Sequence, residues 1–486
     1  MEKLIGRKRE CEELKWALES KRSEFVILYG RRRVGKTFLV RRFFNDTYSF
    51  HYVGAHKQSK AVQLQNFKEA LSRYSNVPVP EMKNWHDAFL GLQSYLETCN
   101  EKRKVIFFDE MPWMDTHGSE FVGELEYFWS NWVQNRDDIV FIACGSATSW
   151  MKEKLEDNQG GLHNRITHHI YLRPFYLSEC RAYLEQHGFE WDEYQILQCY
   201  MIFGGVPYYF SLLRPYLSLP ENVDALIFRR GGDLSDEINE LYHALFNKAD
   251  RYVAIVKLLA TKREGFTRTE IENKTGYSGG GLSKMLDNLE RCDFIVSYAQ
   301  FGNKTKQTLY RLTDFYTLFH FKYVENNHSR DDQYWQHHFT DRSVETWEGF
   351  TFEALCLRHL PHIKFGLGIS GMATEASSWR FTPKMDDERK GAQIDLVIKR
   401  ADKIIHLVEM KFSEKPYTIT KDYFQRLNDR KNLFMEITGT KRGVVHTLIT
   451  PLGLAQGKNM SIVHSQLSAR DLFADIGHRG EIHPLV

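Results

Sequence analysis

Hydrophobic and polar positions follow two rhythms along the first 190 residues. Short apolar runs at 25–29, 48–53, 104–108, 138–143 and 168–172 alternate with longer mixed stretches at 58–75, 85–99 and 119–135. The runs predict strands and the stretches predict helices. Strands alternating with helices imply an α/β fold with a parallel sheet covered on both faces. Residues 177–248 read as helical, with Gly204-Gly-Val-Pro207 as the clearest break. Residues 250–312 predict two or three short helices and a strand pair about Gly302-Asn-Lys304. The polar stretch 326–345 predicts a linker. From there a helix leads into a strand-rich α/β segment. The expected divisions are thus 1–190, 191–249, 250–325, 326–345 and 346–486.

At 486 residues the chain is long enough for about three domains. Hydrophobic residues make up 42% and charged residues 26%, which excludes a disordered chain. Lysine plus arginine is 65 against 63 acids, so bulk charge does not mark a nucleic-acid binder and any basic surface must be local. The seven cysteines are scattered without close pairs. That excludes a zinc framework or dense disulfide scaffold and fits a reducing compartment. The N-terminus lacks a signal-peptide core and no apolar run reaches about 18 residues. The expectation is a soluble, cytoplasmic protein with no membrane partner.

Candidate chemistry begins at Gly30-Arg31-Arg32-Arg33-Val34-Gly35-Lys36-Thr37, which matches G-x-x-x-x-G-K-[ST], the P-loop. A strand precedes it and a helix follows it, as the motif requires. Glycines let successive N–H groups face phosphate oxygens, and the helix N-terminus adds positive potential. Lys36 is expected to neutralise β/γ-phosphate charge and Thr37 to ligate Mg²⁺. The run Val105-Ile-Phe-Phe-Asp109-Glu110 supplies the acids. Asp109 is expected to hold the Mg²⁺ shell and Glu110 to polarise the attacking water. Ser146 follows the next strand, where it either senses the γ-phosphate or simply ends the strand. Arg165 is either an arginine finger or a surface arginine. Gly204-Gly-Val-Pro207 either shapes a lid or ends a helix.

These residues resemble the archaeal-type P-loop ATPases of the STAND class, within the AAA-like group, over roughly residues 1–215. Leu4-Ile-Gly-Arg7-Lys-Arg-Glu10 looks like the family's adenine-side motif, which adds Arg7 to the nucleotide-binding set. The resemblance implies an ATP-driven switch with a helical lid and a winged helix. One departure is that Asn164-Arg165 stands where the family has a Gly-Arg pair.

Residues 267–276 and 278–290 read as helix, turn, helix, with Leu282, Met285, Leu286 and Leu289 on one stripe. Residues 251–311 hold 11 lysines and arginines against 6 acids. This is a modest footprint for DNA, and equally compatible with protein contacts.

Residues 392–400 and 404–412, joined by Ala401-Asp-Lys403, predict a β-hairpin. A turn centred on Asp402 sets Asp395 opposite Glu409 and Gln393 opposite Lys411, all on one face. Facing carboxylates repel unless a cation lies between them. Asp395 and Glu409 are therefore candidate Mg²⁺ ligands, and Lys411 a candidate to position or deprotonate a bound water. The pattern resembles the PD-(D/E)XK nuclease core. The resemblance implies a further glutamate on a preceding helix, Glu353 or, as second choice, Glu348. Ile394 stands where that core has proline. A solvated charged face and an inactive nuclease fold are the alternatives. The whole reads as an ATP- and Mg²⁺-dependent switch coupled to a DNA nuclease-like domain, with a role in defence against foreign DNA implied by resemblance alone. The alternative is a regulator whose C-terminal domain grips a partner without cleaving. Assembly into a homo-oligomer is left open.

Overall fold

The computed structural model describes residues 4–75, 78–146, 148–156, 162, 164–302, 308–329, 331–383 and 389–477. The chain divides into two compact units, 1–174 and 175–486.

In the first unit the five expected strands form: β1 (Glu24–Tyr29), β2 (Phe50–Val53), β3 (Lys104–Asp109), β4 (Ile139–Gly145) and β5 (His168–Tyr171). They make one parallel sheet in the order β2-β3-β4-β1-β5. Alternation splits each central strand between two cores. Phe25 and Ile27, with Ile106, Phe108 and Phe141, pack on one face. Val26 and Leu28, with Val105, Phe107 and Ile142, pack on the other. Burial on both faces is why these strands read as unbroken apolar runs. Because β4 lies between β1 and β3, the loops leaving the carboxyl ends of all three strands are neighbours, which is where ligands bind in such sheets.

The second unit begins before the boundary expected at 190. The helix Leu177–Gln186 buries Leu177, Cys180 and Leu184 within it. Helices Ala249–Ala260, Arg268–Thr275 and Gly279–Arg291 are followed by an antiparallel sheet of β6 (Phe266–Thr267), β8 (Leu309–Leu312) and β7 (Ile295–Tyr298), in that order. The stripe Leu282, Met285, Leu286 and Leu289 is buried as expected. The strand pair expected about Gly302 is β7 and β8, and residues 303–307 between them lie outside the described residues.

The segment 326–345 is not a free linker. It carries the helix Tyr334–His338, in which Trp335 is 3% exposed and packs on Phe319 and Tyr323. The Trp335 and Gln336 N–H groups donate to Asp224 at 2.7 and 3.0 Å. The polar residues around Trp335 conceal this anchor in the sequence.

The C-terminal sheet contains β9 (Thr374–Phe381), β10 (Ala392–Arg400), β11 (Ile404–Met410), β12 (Gly443–Ile449) and β13 (Val463–Leu467), in the order β13-β12-β11-β10-β9. β10 runs antiparallel to its neighbours β9 and β11, β12 joins β11 in parallel, and β13 joins β12 in parallel. Helix Arg342–Arg358 precedes the sheet, and helix Lys421–Thr438 connects β11 to β12.

Candidate functional sites

The P-loop is shaped by backbone that only certain residues accept. Gly30 has φ +144°, and a Cβ there would lie 2.3 Å from the Leu172 carbonyl oxygen. Gly35, at φ +91°, immediately precedes the helix Lys36–Phe43 and so presents a helix N-terminus at the loop. Arg33 also takes a positive φ of 72°. Lys36 is buried, and its Nζ donates to the carbonyls of Gly30 and Arg31, both at 3.0 Å. Arg31 is buried, whereas Arg32 and Arg33 are half-buried. Arg7 donates from Nη2 to the Val34 carbonyl at 3.2 Å. It thereby braces the loop from the N-terminal motif.

Thr37 donates its hydroxyl to Asp109 Oδ2 at 2.8 Å. Asp109 Oδ1 accepts from the Glu110 N–H at 2.9 Å. Glu110 turns with φ +47° and receives the Ser146 hydroxyl at 2.9 and 3.0 Å and the Ser146 N–H at 3.4 Å. Burial first, and then the charge of Glu110, raise the Asp109 carboxyl above its ordinary value, against the hydrogen bonds from Thr37 and Cys144. A hydroxyl and a buried carboxylate short of positive charge suit a hard divalent ion, so the residues present fit Mg²⁺. Arg165 is half-buried and its N–H donates to Leu162 at 2.9 Å. Gly160, Gly161 and His163 of its motif lie outside the described residues.

Sequence reasoning missed Gln63. It is fully buried, donating to the carbonyls of Ala55 (2.6 Å) and Trp113 (2.8 Å) and accepting from the Ala55 N–H (3.0 Å) and the Tyr52 hydroxyl (3.1 Å). It staples the loop after β2 to the turn that carries Glu110. The signal was a lone amide on the buried stripe Leu64, Phe67 and Leu71. Gly54 was missed as well. A Cβ there would come within 2.5 Å of the Glu110 carbonyl oxygen.

In the C-terminal sheet the hairpin pairs Leu396 with Val408 and Lys399 with Ile405, the register set by a turn centred on Asp402. The acids of the hairpin take two sets of partners. Ile394 and Val397, three residues apart, both pack with Ile405, Leu407 and Phe434. Strict alternation would separate them. The pairing of β10 with β9 slips between these two residues, and such a bulge re-aims the side chains within it. Asp395 is brought to Glu353 through Arg263. Glu409, in step with Ile405 and Leu407, meets helix Lys421–Thr438, where it accepts from the Tyr423 hydroxyl at 3.1 Å and pairs with Arg430. Lys411 Nζ lies 5.7 Å from the centre of the Tyr423 ring. Among the described residues no group of three or more His, Cys, Asp or Glu is placed to hold a metal ion. Glu353 and Asp395 keep ligand character, since Glu353 Oε2 is buried without a hydrogen-bond partner.

Glu348, the second-choice helix glutamate, accepts from Gln198 at 2.8 Å instead. Burial first pushes its carboxyl up to about 7, with the charges of Glu414 and Glu345 adding to the rise and the Gln198 bond opposing it. Glu353 is pushed up to about 7 by burial and by Asp395, against Arg263, Arg311 and Lys411. A raised carboxyl favours the folded state while protonated. Its contribution is complete below the ordinary value of 4.5 and is lost as pH rises through about 7. Glu348→Gln is therefore expected to flatten the fall in unfolding free energy across that window by on the order of 1–3 kcal/mol. Denaturant titrations of variant and wild type at pH 4.5 and 7.5 check this. Equal pH dependence in the two proteins would contradict it.

Residues 4–213 match the family described as an ATPase domain predominantly from Archaea. An uncharacterized protein of Methanocaldococcus jannaschii is 23% identical over 433 residues, covering 88% of this chain and 92% of the relative. Among solved structures, a Walker-type ATPase of Pyrococcus abyssi is similar at 17% identity and a TM-score of 0.49, covering 66% of this chain and 96% of that one. The ORC2 protein of Aeropyrum pernix is similar at 17% identity and a TM-score of 0.41, covering 66% and 93%. A STAND protein with a tetratricopeptide repeat sensor from Pyrococcus horikoshii is similar at 16% identity and a TM-score of 0.32, covering 76% and 48%. The match of residues 4–213 supports an archaeal-type P-loop ATPase domain with nucleotide binding in the N-terminal part of the chain. No helix among the described residues is long and apolar enough to cross a membrane.

Proposed function

We propose that the chain is an ATP-driven switch in which the ATPase domain controls a metal-dependent, DNA-cleaving C-terminal domain. The observation that carries the first half is the Thr37–Asp109 contact of 2.8 Å beside a Glu110 held by Ser146, at the ends of adjacent strands. In this reading Lys36 exchanges its two carbonyl partners for β/γ-phosphate oxygens. Thr37 and Asp109 hold Mg²⁺, which supplies charge neutralisation when bound. Glu110 orients the attacking water and Ser146 reports the γ-phosphate. Arg165 adds positive charge late in the reaction, and Arg31, Arg32 and Arg33 line the loop. The helices of 191–249 act as the lid, and the helix–turn–helix with its small antiparallel sheet acts as a winged helix that meets DNA.

The second half is supported by the order helix, three antiparallel strands, helix, parallel strand, which fits the PD-(D/E)XK resemblance, and by Glu353 and Asp395 converging on one cation. Those two carboxylates would hold a hard divalent ion, with Glu409 and Lys411 at the next strand end to complete the site. A second reading, a regulator that grips a partner without cleaving, is favoured by Arg430 already neutralising Glu409. The test is cleavage of plasmid and single-stranded DNA by the full chain, with and without ATP and Mg²⁺ or Mn²⁺. Asp395→Ala is expected to abolish cleavage while ATP hydrolysis persists. Cleavage that survives this substitution removes the nuclease assignment and leaves the partner-binding switch.

A further inference from the structure

Arg263 lies in the turn between helix Ala249–Ala260 and β6, directly ahead of the helix–turn–helix segment. Its guanidinium nevertheless sits on the C-terminal sheet. Nη2 donates to both Asp395 oxygens at 3.1 Å, and Nη1 reaches Glu353 Oε1 at 3.4 Å. The Cζ atom stands 5.0 Å from the centre of the Phe350 ring. Asp395 receives one further bond, from Gln393 Nε2 at 2.6 Å.

This pairing is incompletely satisfied. Glu353 is 5% exposed, yet its Oε2 has no hydrogen-bond partner, and Arg263 Nε is likewise buried without one. A structural ion pair of this burial is stable when the remaining donors and acceptors are bonded. Here one monovalent fork spans two carboxylates from two elements and leaves an oxygen over. Two carboxylates around a compact cation is the arrangement a divalent ion prefers. Open space adjoins the site on the Arg263 side. A cavity of about 480 Å³ is lined by Arg263, Arg311, Phe350, Thr351 and Ala354, which places it against the turn of helix that carries Glu353. Arg311 and Lys262 add positive charge to that cavity, which favours Arg263 on the carboxylates rather than in the open space.

We propose that Arg263 is a latch: its guanidinium fills the cation position between Glu353 and Asp395, so the C-terminal site stays closed until the helix–turn–helix segment moves. This rests on the reading of those two acids as part of a metal-dependent site. It adds the regulation of that site and the residue that performs it. Movement of the segment withdraws the guanidinium and leaves the two carboxylates without the one cation bonded to both. That creates affinity for a divalent ion where the closed protein has little.

The test is Mn²⁺ binding to the nucleotide-free full chain, followed by calorimetry and by the electron paramagnetic resonance of free Mn²⁺. Arg263→Ala is expected to bind one Mn²⁺ at least about tenfold more tightly than wild type. Adding Asp395→Asn to that variant is expected to remove the gain. Equal affinity in wild type and Arg263→Ala overturns the latch, as does a gain that survives Asp395→Asn. If Arg263→Ala does not fold, Arg263→Lys carries the test, because a single ammonium cannot fork across both acids. It too must bind Mn²⁺ more tightly than wild type, and equality overturns the latch. Cleavage is scored separately on the same proteins. Tighter Mn²⁺ binding without DNA cleavage supports the latch and overturns only the nuclease reading.

Discussion

Replacing Lys36 with alanine is expected to abolish ATP hydrolysis, with a loss of about three orders of magnitude or more. Lys36 is 6% exposed and its ammonium is spent on two carbonyls of its own loop, Gly30 and Arg31. Those bonds hold the charge at the mouth of the loop, ready to move to phosphate oxygens. Alanine removes the charge and leaves both carbonyls without this donor, at a stability cost of about 1–3 kcal/mol. The fold should survive that cost, because the strands on either side are fully buried. Lys36→Met separates the two effects by keeping the aliphatic stem. Both variants should lose nucleotide affinity in calorimetric titrations with ATP and Mg²⁺ while melting cooperatively. Wild-type affinity in Lys36→Met would mean that the loop does not hold the triphosphate.

The largest stability effect is expected at Gly205. A Cβ there would stand 1.9 Å from the Phe175 carbonyl oxygen and 2.8 Å from its carbon. The two backbones are locked together, since the Phe175 N–H donates to the Gly205 carbonyl at 2.6 Å and the Tyr200 hydroxyl donates to Phe175 O at 3.1 Å. No side chain can swing away to make room, so the main chains must part. Gly205→Ala is expected to cost more than about 4 kcal/mol and to lower the melting temperature by about 10 °C. Gly349→Ala is the control. That glycine lies within helix Arg342–Arg358 with nothing within 4 Å of its missing Cβ, so alanine should be neutral or stabilise by about 0.5–1 kcal/mol. Chemical denaturation of the two variants beside wild type measures both. A Gly205→Ala protein within about 1 kcal/mol of wild type would contradict the contact.

The five parallel strands of the first unit and the helices between them were legible because local composition and periodicity carry that information. So was the P-loop, whose chemistry depends on spacing within eight residues. The hairpin register was legible too, because a turn centred on Asp402 leaves only one way to pair Leu396 with Val408. What local patterns could not carry were contacts made over long separations. Trp335 sits among polar neighbours, and only Asp224, 111 residues earlier, explains its anchoring. Gln63 appeared as one amide on an apolar stripe until the loops after β2 and β3 closed around it.

The amino-acid order alone therefore determined the phosphate loop, the acids after β3, the five strands of the first sheet and the β10–β11 hairpin, since each rests on residues a few positions apart. Tertiary structure decided which carboxylates meet. Arg263, 132 residues distant in sequence, carries the charge that joins Asp395 to Glu353, while Glu409 is held by Tyr423 and Arg430. The reason is physical. A strand's alternation is set locally, but where it breaks, and which ion settles on a buried acid, depend on everything that packs around it.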